Sequence, residues 1–221
     1  MIIKITQTES NARQSYEIEG EDFYFSGNAG SVSRLQTITL RNRQTTIKGV
    51  YHLSKWVNYI PFRYLTGKAN ITRTFYLYRN DELYGTVVFS KHAFWGSFYV
   101  IALKGGEVFH CFDRYVDSFH YISIYRNETQ IALIETYLNV TDLKFTHKLY
   151  LLDEYRQFAD TFSFFTVYYA GYRFAHRFHM SSGSYYRKGR SITNYAYKYN
   201  PQWRAKHFPN ENFFGKIDAL R

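Results

Sequence analysis

The residues best equipped for chemistry in this chain are cations set in turns. An Arg-Asn pair recurs three times, at Arg41-Asn42, Arg79-Asn80 and Arg126-Asn127, each time between two apolar runs. Asn suits such a position because it tolerates φ > 0 and bonds its own backbone. The neighbouring guanidinium would be available to an anion, in the planar, bidentate manner of arginine, if the three turns gathered on one rim. A second concentration of cations lies late in the chain, where Arg187, Lys188 and Arg190 follow Tyr185-Tyr186. Rings interleaved with cations suit three arrangements. They can lie as an ordered strap over a domain, meet an anionic membrane surface or phosphoinositide, or contact phosphates and stacked bases of nucleic acid.

Other reactive residues are poorly placed for catalysis. His176 and His179 stand three apart, but a zinc site needs about four ligands at suitable spacing, so neither a metal nor a cofactor is expected. Cys111 sits within the apolar run Phe109-His110-Cys111-Phe112, the setting of a buried structural thiol rather than a nucleophile. Asp81-Glu82 and Asp153-Glu154 read as turn and helix-start residues. No phosphate-binding glycine loop, dinucleotide fingerprint, nucleophile elbow or zincin motif occurs. No catalytic residue is therefore assigned. The expectation is a non-enzymatic binding or adaptor protein, with a nucleic-acid-binding module and an enzyme with a cleft invisible to sequence as the alternatives.

These residues must be held by a framework, and the composition says which kind. Of 221 residues, 46 are aromatic (20 Phe, 23 Tyr, 3 Trp) and only three are Pro. Aromatic and β-branched side chains favour pleated, half-buried surfaces, so the excess predicts extensive β structure. A hydrophobic fraction of 45% supports a core and excludes wholesale disorder, while a single Cys excludes a disulfide framework. No uncharged apolar run approaches the length of a membrane-spanning helix, and the start of the chain lacks the pattern of a signal peptide. The expected location is cytoplasmic, at most peripheral to a membrane. The chain carries 28 Lys and Arg against 18 Asp and Glu. Residues 179–221 hold eight of the former and two of the latter, which is more than half of the net +10 in a fifth of the length.

The apolar runs predict strands or hairpins at Ile2–Thr6, 16–19, 23–25, 35–50, 72–90, 98–112, 119–137 and 144–152. Residues 26–31, rich in Ser and Gly, read as a loop, and 55–68 as an irregular crossing. Short strands joined by such turns predict an antiparallel sandwich or barrel. From Asp153 the pattern changes. Phe158, Phe162, Phe165, Tyr169 and Tyr172 fall at helical spacing, yet Phe164, Val167 and Tyr168 make the other side apolar too. A helix apolar all round is buried in a core or in lipid. The same aromatic content would also allow a strand.

The hairpin 121–135, the run Tyr150-Leu151-Leu152-Asp153-Glu154 and the apolar stretch 158–174 together resemble the tubby C-terminal-like fold, in its bacterial form. That group includes the tubby, LURP-one-related and phospholipid scramblase-like proteins. The resemblance covers about residues 15–178 and rests on element order and hydrophobic pattern. It implies a mainly β domain over residues 1–178: a closed antiparallel barrel of hairpins around a buried helix at about 153–178. Residues 179–221 then form a basic, aromatic extension. For some members the resemblance also implies phosphoinositide binding. The Lys/Arg binding pattern of tubby has no counterpart here, so Arg41, Arg79, Arg126, Arg187, Lys188 and Arg190 are anion-binding candidates on charge and turn position alone.

Overall fold

The computed structural model describes residues 1–10, 13–32, 35–51, 73–92, 96–116, 119–139, 144–174, 198, 200 and 202–211. Twelve strands follow one another: β1 (Ile2–Ser10), β2 (Arg13–Gly20), β3 (Phe23–Val32), β4 (Leu35–Arg41), β5 (Thr46–Tyr51), β6 (Arg73–Arg79), β7 (Glu82–His92), β8 (Gly96–Leu103), β9 (Val108–Val116), β10 (Phe119–Arg126), β11 (Thr129–Asn139) and β12 (Lys144–Leu151). Each pairs antiparallel with its neighbour in sequence, and β12 pairs with β1 to close a barrel. A 3₁₀ turn (Asp153–Phe158) leads into α1 (Ala159–Phe174), and a short helix α2 (Gln202–His207) lies further on.

Closure explains the alternation along the strands. Ile3, Ile5, Ile18, Phe25 and Leu40 point inward and are buried, whereas Lys4, Glu17, Glu19, Tyr24 and Lys48 are exposed on the outer wall. An apolar lumen with mid-strand charges outside is the reverse of a membrane-spanning barrel. Among the described residues, no helix is long and apolar enough to cross a membrane.

A lumen lined by apolar side chains must be filled. At 16 residues α1 is about 24 Å long, enough to run the height of the barrel. Every residue from Thr161 to Ala170 is buried, which accounts for the absence of a polar face. The helix is off-centre, closest to β12 and β1–β4. Its aromatic side fills the wider gap. Phe75 meets Phe164 and Tyr168 at ring separations of 6.1 and 4.9 Å, Tyr99 meets Phe165 and Tyr169 at 5.5 Å each, and Phe109 meets Phe162 at 5.0 Å. Ala159, Ser163, Val167 and Ala170 fall on the other side by helical spacing.

The stretch 26–31, expected as a loop, is instead the body of β3, paired with β4 throughout and with β2 from Ser26 to Gly30. A side chain on Gly27 would overlap that of Leu40 on β4, and at Gly171 the helix lies in ordinary contact range of Ala29 and Gln14, 3.7 Å from where a side chain would begin. The expected irregular crossing at 55–68 lies outside the described residues.

Because the strands alternate in direction, every turn from an even-numbered to an odd-numbered strand opens on the same rim. The three Arg-Asn turns are of this kind, joining β4–β5, β6–β7 and β10–β11. Asn80, Asp81 and Asn127 have φ of 49°, 67° and 53°, the left-handed conformation that Asn and Asp accept at low cost. Asn42 Oδ1 accepts the backbone N–H of Gln44 at 2.9 Å, and Asn80 Oδ1 accepts that of Thr46 at 2.9 Å, tying two of these turns together. α1 enters the lumen from this rim and ends at the opposite one.

Phe165→Ala should cost about 3–5 kcal/mol in urea unfolding, the usual range for a fully buried Phe, and Phe165→Asp should leave no folded barrel, since the carboxylate would have no partner in the lumen. Gly49→Ala should cost about 1–3 kcal/mol, because its methyl would overlap the Phe75 and Phe164 rings. A Phe165→Asp chain as stable as the parent would rule out the packed lumen.

Candidate functional site

On the Arg-turn rim, two of the three arginines are occupied by carboxylates of the same chain. Arg79 pairs with Asp160 in the first turn of α1, and its guanidinium lies 4.0 Å from the centre of the Tyr84 ring. Arg126 pairs with Glu107 at 2.9 Å and sits 5.9 Å from the ring of Tyr155, on the 3₁₀ turn. Arg156 pairs with Asp22 at 2.6 Å, and the Met1 amine pairs with Asp153 at 2.7 Å. These contacts join the turns to the segment that carries α1 into the lumen. Arg41 alone of the three is exposed without an ion pair among the described residues. The rim as a whole is net acidic: residues 20–23, 41–46, 79–82, 103–108, 126–129 and 152–160 contain nine carboxylates and six Lys or Arg. The expected gathering of arginines occurs, but it does not create a cationic surface.

Asp160 carries the cost of this arrangement. Burial raises its carboxyl above the ordinary range, and Arg79 with the hydroxyl and N–H of Thr161 opposes that rise.

The late cations divide. Arg187, Lys188 and Arg190 lie outside the described residues, as do His176 and His179. Lys198 and residues 202–211 pack on the outer wall of β10–β12. Trp203 is buried against Tyr121, Leu133, Tyr150 and Phe208, and its indole N–H donates to the Gln130 carbonyl at 3.1 Å. Arg204 Nε pairs with Glu135 at 3.1 Å, and Tyr150 OH donates to the other oxygen of Glu135 at 3.2 Å. Lys198 pairs with Glu128, while its carbonyl accepts the Tyr125 hydroxyl at 2.7 Å. Lys148 Nζ meets Glu211 at 2.9 Å. Burial, reinforced by Glu135, pushes the Tyr150 hydroxyl well above its ordinary range.

A third cluster was not anticipated. Direct cross-strand register places His120 opposite Thr136, and Thr136 opposite His147. All three point into the lumen near the rim where α1 ends. His120 Nδ1 lies 3.2 Å from Thr136 Oγ1, which lies 2.9 Å from His147 Nδ1. On the other side, His120 Nε2 lies 2.7 Å from Tyr169 OH, and Tyr169 donates to Asp113 Oδ2 at 2.9 Å. The His120 and Tyr169 rings are stacked 5.0 Å apart. A carboxylate only accepts, so the single Tyr169 proton is committed to Asp113. His120 Nε2 then carries a proton toward Tyr169. With His120 neutral, its Nδ1 accepts from Thr136, and His147 donates through Nδ1 to Thr136. The His147 Nε2 lone pair is left buried without a partner. Burial lowers the His147 pKa from 6.5 to about 3.

This row links β9, β10, β11 and β12 to α1 and fixes the rotation of the helix in the lumen. The signal for it was available only after pairing, since residues 113, 120, 136, 147 and 169 have no meaningful spacing along the chain. Cys111 is fully buried beside the row, and burial raises its thiol well above the ordinary range, which leaves it unreactive. Among the described residues, no group of three or more His, Cys, Asp or Glu could hold a metal ion.

The fold and these clusters define a helix-filled antiparallel barrel with an external strap. In comparisons with known proteins, the chain matches no family model, no curated protein and no solved structure.

Arg79→Ala should lower stability at about pH 7 by roughly 1–3 kcal/mol, less than for a fully buried pair because the arginine is partly exposed. The deficit relative to the parent should shrink as the pH is lowered, because burial without Arg79 favours protonation of Asp160 and the uncompensated charge disappears. Urea titrations at neutral and at acidic pH measure it, and a pH-independent deficit would contradict the assignment. The His147 pKa is lower in the folded chain than in the unfolded chain. Its contribution to stability is therefore full above about 6.5 and is lost as pH falls toward about 3. The parent should lose up to about 1.4 kcal/mol per pH unit from this group, and His147→Gln should flatten that part of the acid limb. Equal slopes in the two proteins would refute it.

Proposed function

We propose that the protein is a non-enzymatic binding barrel that meets an anionic phospholipid or phosphoinositide surface through its basic connecting segments. The observation that carries this reading is the separation of charge. The Arg-turn rim is net acidic, and its Arg79, Arg126 and Arg156 are paired with carboxylates of the same chain. The sequence segments that link odd-numbered to even-numbered strands, together with the one that follows α1, are residues 11–12, 33–34, 52–72, 93–95, 117–118, 140–143 and 175–197. In sequence they contain eight Lys or Arg and two Asp. Basic segments are drawn to anionic leaflets, at about 1 kcal/mol per cation near the surface. The filled lumen favours a role on the outside of the barrel.

Arg187, Lys188 and Arg190, next to Tyr185 and Tyr186, are the residues assigned to the contact, since Tyr favours the membrane interface. Arg79 and Arg126 are assigned to the barrel itself. A closed barrel around a helix is also what the resemblance to the tubby C-terminal-like group implies, and that resemblance supports a lipid-facing role.

Flotation with phosphatidylcholine vesicles, with and without phosphatidylserine or phosphatidylinositol bisphosphate, tests the proposal. Binding is expected only to the anionic vesicles and should weaken as salt is added. Reversing three cations together (R187E, K188E and R190E) should weaken it by about a hundredfold or more. Arg41→Glu, on the Arg-turn rim, should leave it nearly unchanged. Absence of flotation at low salt, or a triple variant that floats like the parent, would refute the proposal. Binding of an oligonucleotide without binding to vesicles would favour a nucleic-acid partner instead.

A further inference from the structure

Near the rim where α1 ends, the lumen holds a hydroxyl poised between two imidazoles. Thr136 on β11 stands directly opposite His120 on β10 and His147 on β12. Its oxygen lies 3.2 Å from His120 Nδ1 and 2.9 Å from His147 Nδ1. A hydroxyl oxygen has one proton and two lone pairs. The proton points to His120, which accepts, and one lone pair takes the N–H of His147. The second lone pair remains for an incoming atom. Both imidazoles are buried, whereas Thr136 and Asp113 are partly exposed, so the row meets solvent at these two residues.

The base is itself oriented. His120 Nε2 directs its proton to Tyr169 OH at 2.7 Å, and Tyr169 donates to Asp113 Oδ2 at 2.9 Å. A hydroxyl bonded to a base, with that base fixed by a third group, is the general arrangement for activating a weak nucleophile. Once His120 takes the proton, its positive charge is linked through Tyr169 to the Asp113 carboxylate, which stabilises it. The five residues of the row include a carboxylate and no Lys or Arg. That favours attack on a neutral carbonyl over a phosphate, whose charge calls for cationic neighbours. The rings packed around α1 leave room for a small group only.

We propose that Thr136 is a covalent modification site that takes a small acyl group from an activated ester or thioester. Thr136 Oγ1 bonds to the carbonyl carbon, and its proton passes to His120 Nδ1. The bond from that carbon to the leaving oxygen or sulfur then breaks, and the leaving group departs with the proton from His120. The products are an acyl ester of Thr136 and a free alcohol or thiol, with nothing oxidised or reduced. One group is taken up per chain, without turnover. The inference goes beyond the membrane reading and does not rest on it.

The probe is p-nitrophenyl acetate added to full-length protein, with mass spectrometry of peptides to locate the acetyl groups. Hydroxylamine removes acetyl esters and spares the amides formed on lysine. The ester on Thr136 should form at least about tenfold faster than on any other Ser or Thr. Thr136→Ser should retain the reaction, and Thr136→Val should abolish labelling at this position. His120→Gln should slow it by about a hundredfold or more. Tyr169→Phe keeps the base but cuts its link to Asp113, and should slow the reaction by about tenfold. The melting transition of each variant reports whether the barrel is intact, and Tyr169→Phe carries the test should His120→Gln not fold. Absence of the ester, its formation at the rate of other hydroxyls, or a rate indifferent to these substitutions in folded variants would overturn the proposal.

Discussion

Closure of the sheet is the constraint on which the rest of this structure depends. Joining β12 to β1 removes every exposed strand edge but encloses a lumen that twelve strands leave too wide for their own side chains to fill. α1 fills it, and the aromatic excess follows from that need. Large flat rings on the helix and on β6, β8 and β9 occupy the wide side, while the helix turns its smaller residues, Ala159, Ser163, Val167 and Ala170, to the narrow side. A single aromatic face would not suffice, because the helix is surrounded on all sides. The lack of a polar face on α1 is a geometric requirement of its position.

Polar groups inside and around this packing serve mainly to hold the helix. At the rim where it enters, Arg79, Arg126 and Arg156 bind carboxylates or rings of the turns and of the 3₁₀ segment. Near the rim where it leaves, Tyr169 joins the row from Asp113 to His147. The first is a ring of partly exposed ion pairs, individually modest in energy. The second is a buried hydrogen-bonded row, in which one unsatisfied atom, His147 Nε2, makes the site sensitive to acid. Together they specify how far α1 enters and which way it is turned, which aromatic packing alone leaves less sharply defined.

The proposed contact therefore lies on the exterior. The filled lumen leaves the basic connecting sequences, with their cations and tyrosines, as the candidates for meeting an anionic surface. The outer wall of β10–β12 differs in chemistry: a small apolar seat and the buried carboxylate of Glu135 hold one ring and one guanidinium of the segment 202–211.

Much of the architecture was determined by sequence alone. Alternation of apolar and polar residues set the strands, Asn at the tips set the turns, and a helix apolar on every side required burial. These are local consequences of backbone geometry and hydrophobicity. Residues 26–31 show the limit: Gly and Ser there suggested a loop, but they form a strand paired with its neighbours, in which Gly27 leaves room for Leu40 of β4. The candidate arginines show it again. Their presence on one rim follows from turn parity, yet whether a guanidinium is available depends on what stands opposite. Only the tertiary structure places Asp160 beside Arg79 and Glu107 beside Arg126. The row from Asp113 to His147 and the pairing of Arg204 with Glu135 are likewise matters of strand register and docking. Charge and polarity are carried by individual residues, but pairing is a property of distance, and the barrel's closure sets the distances.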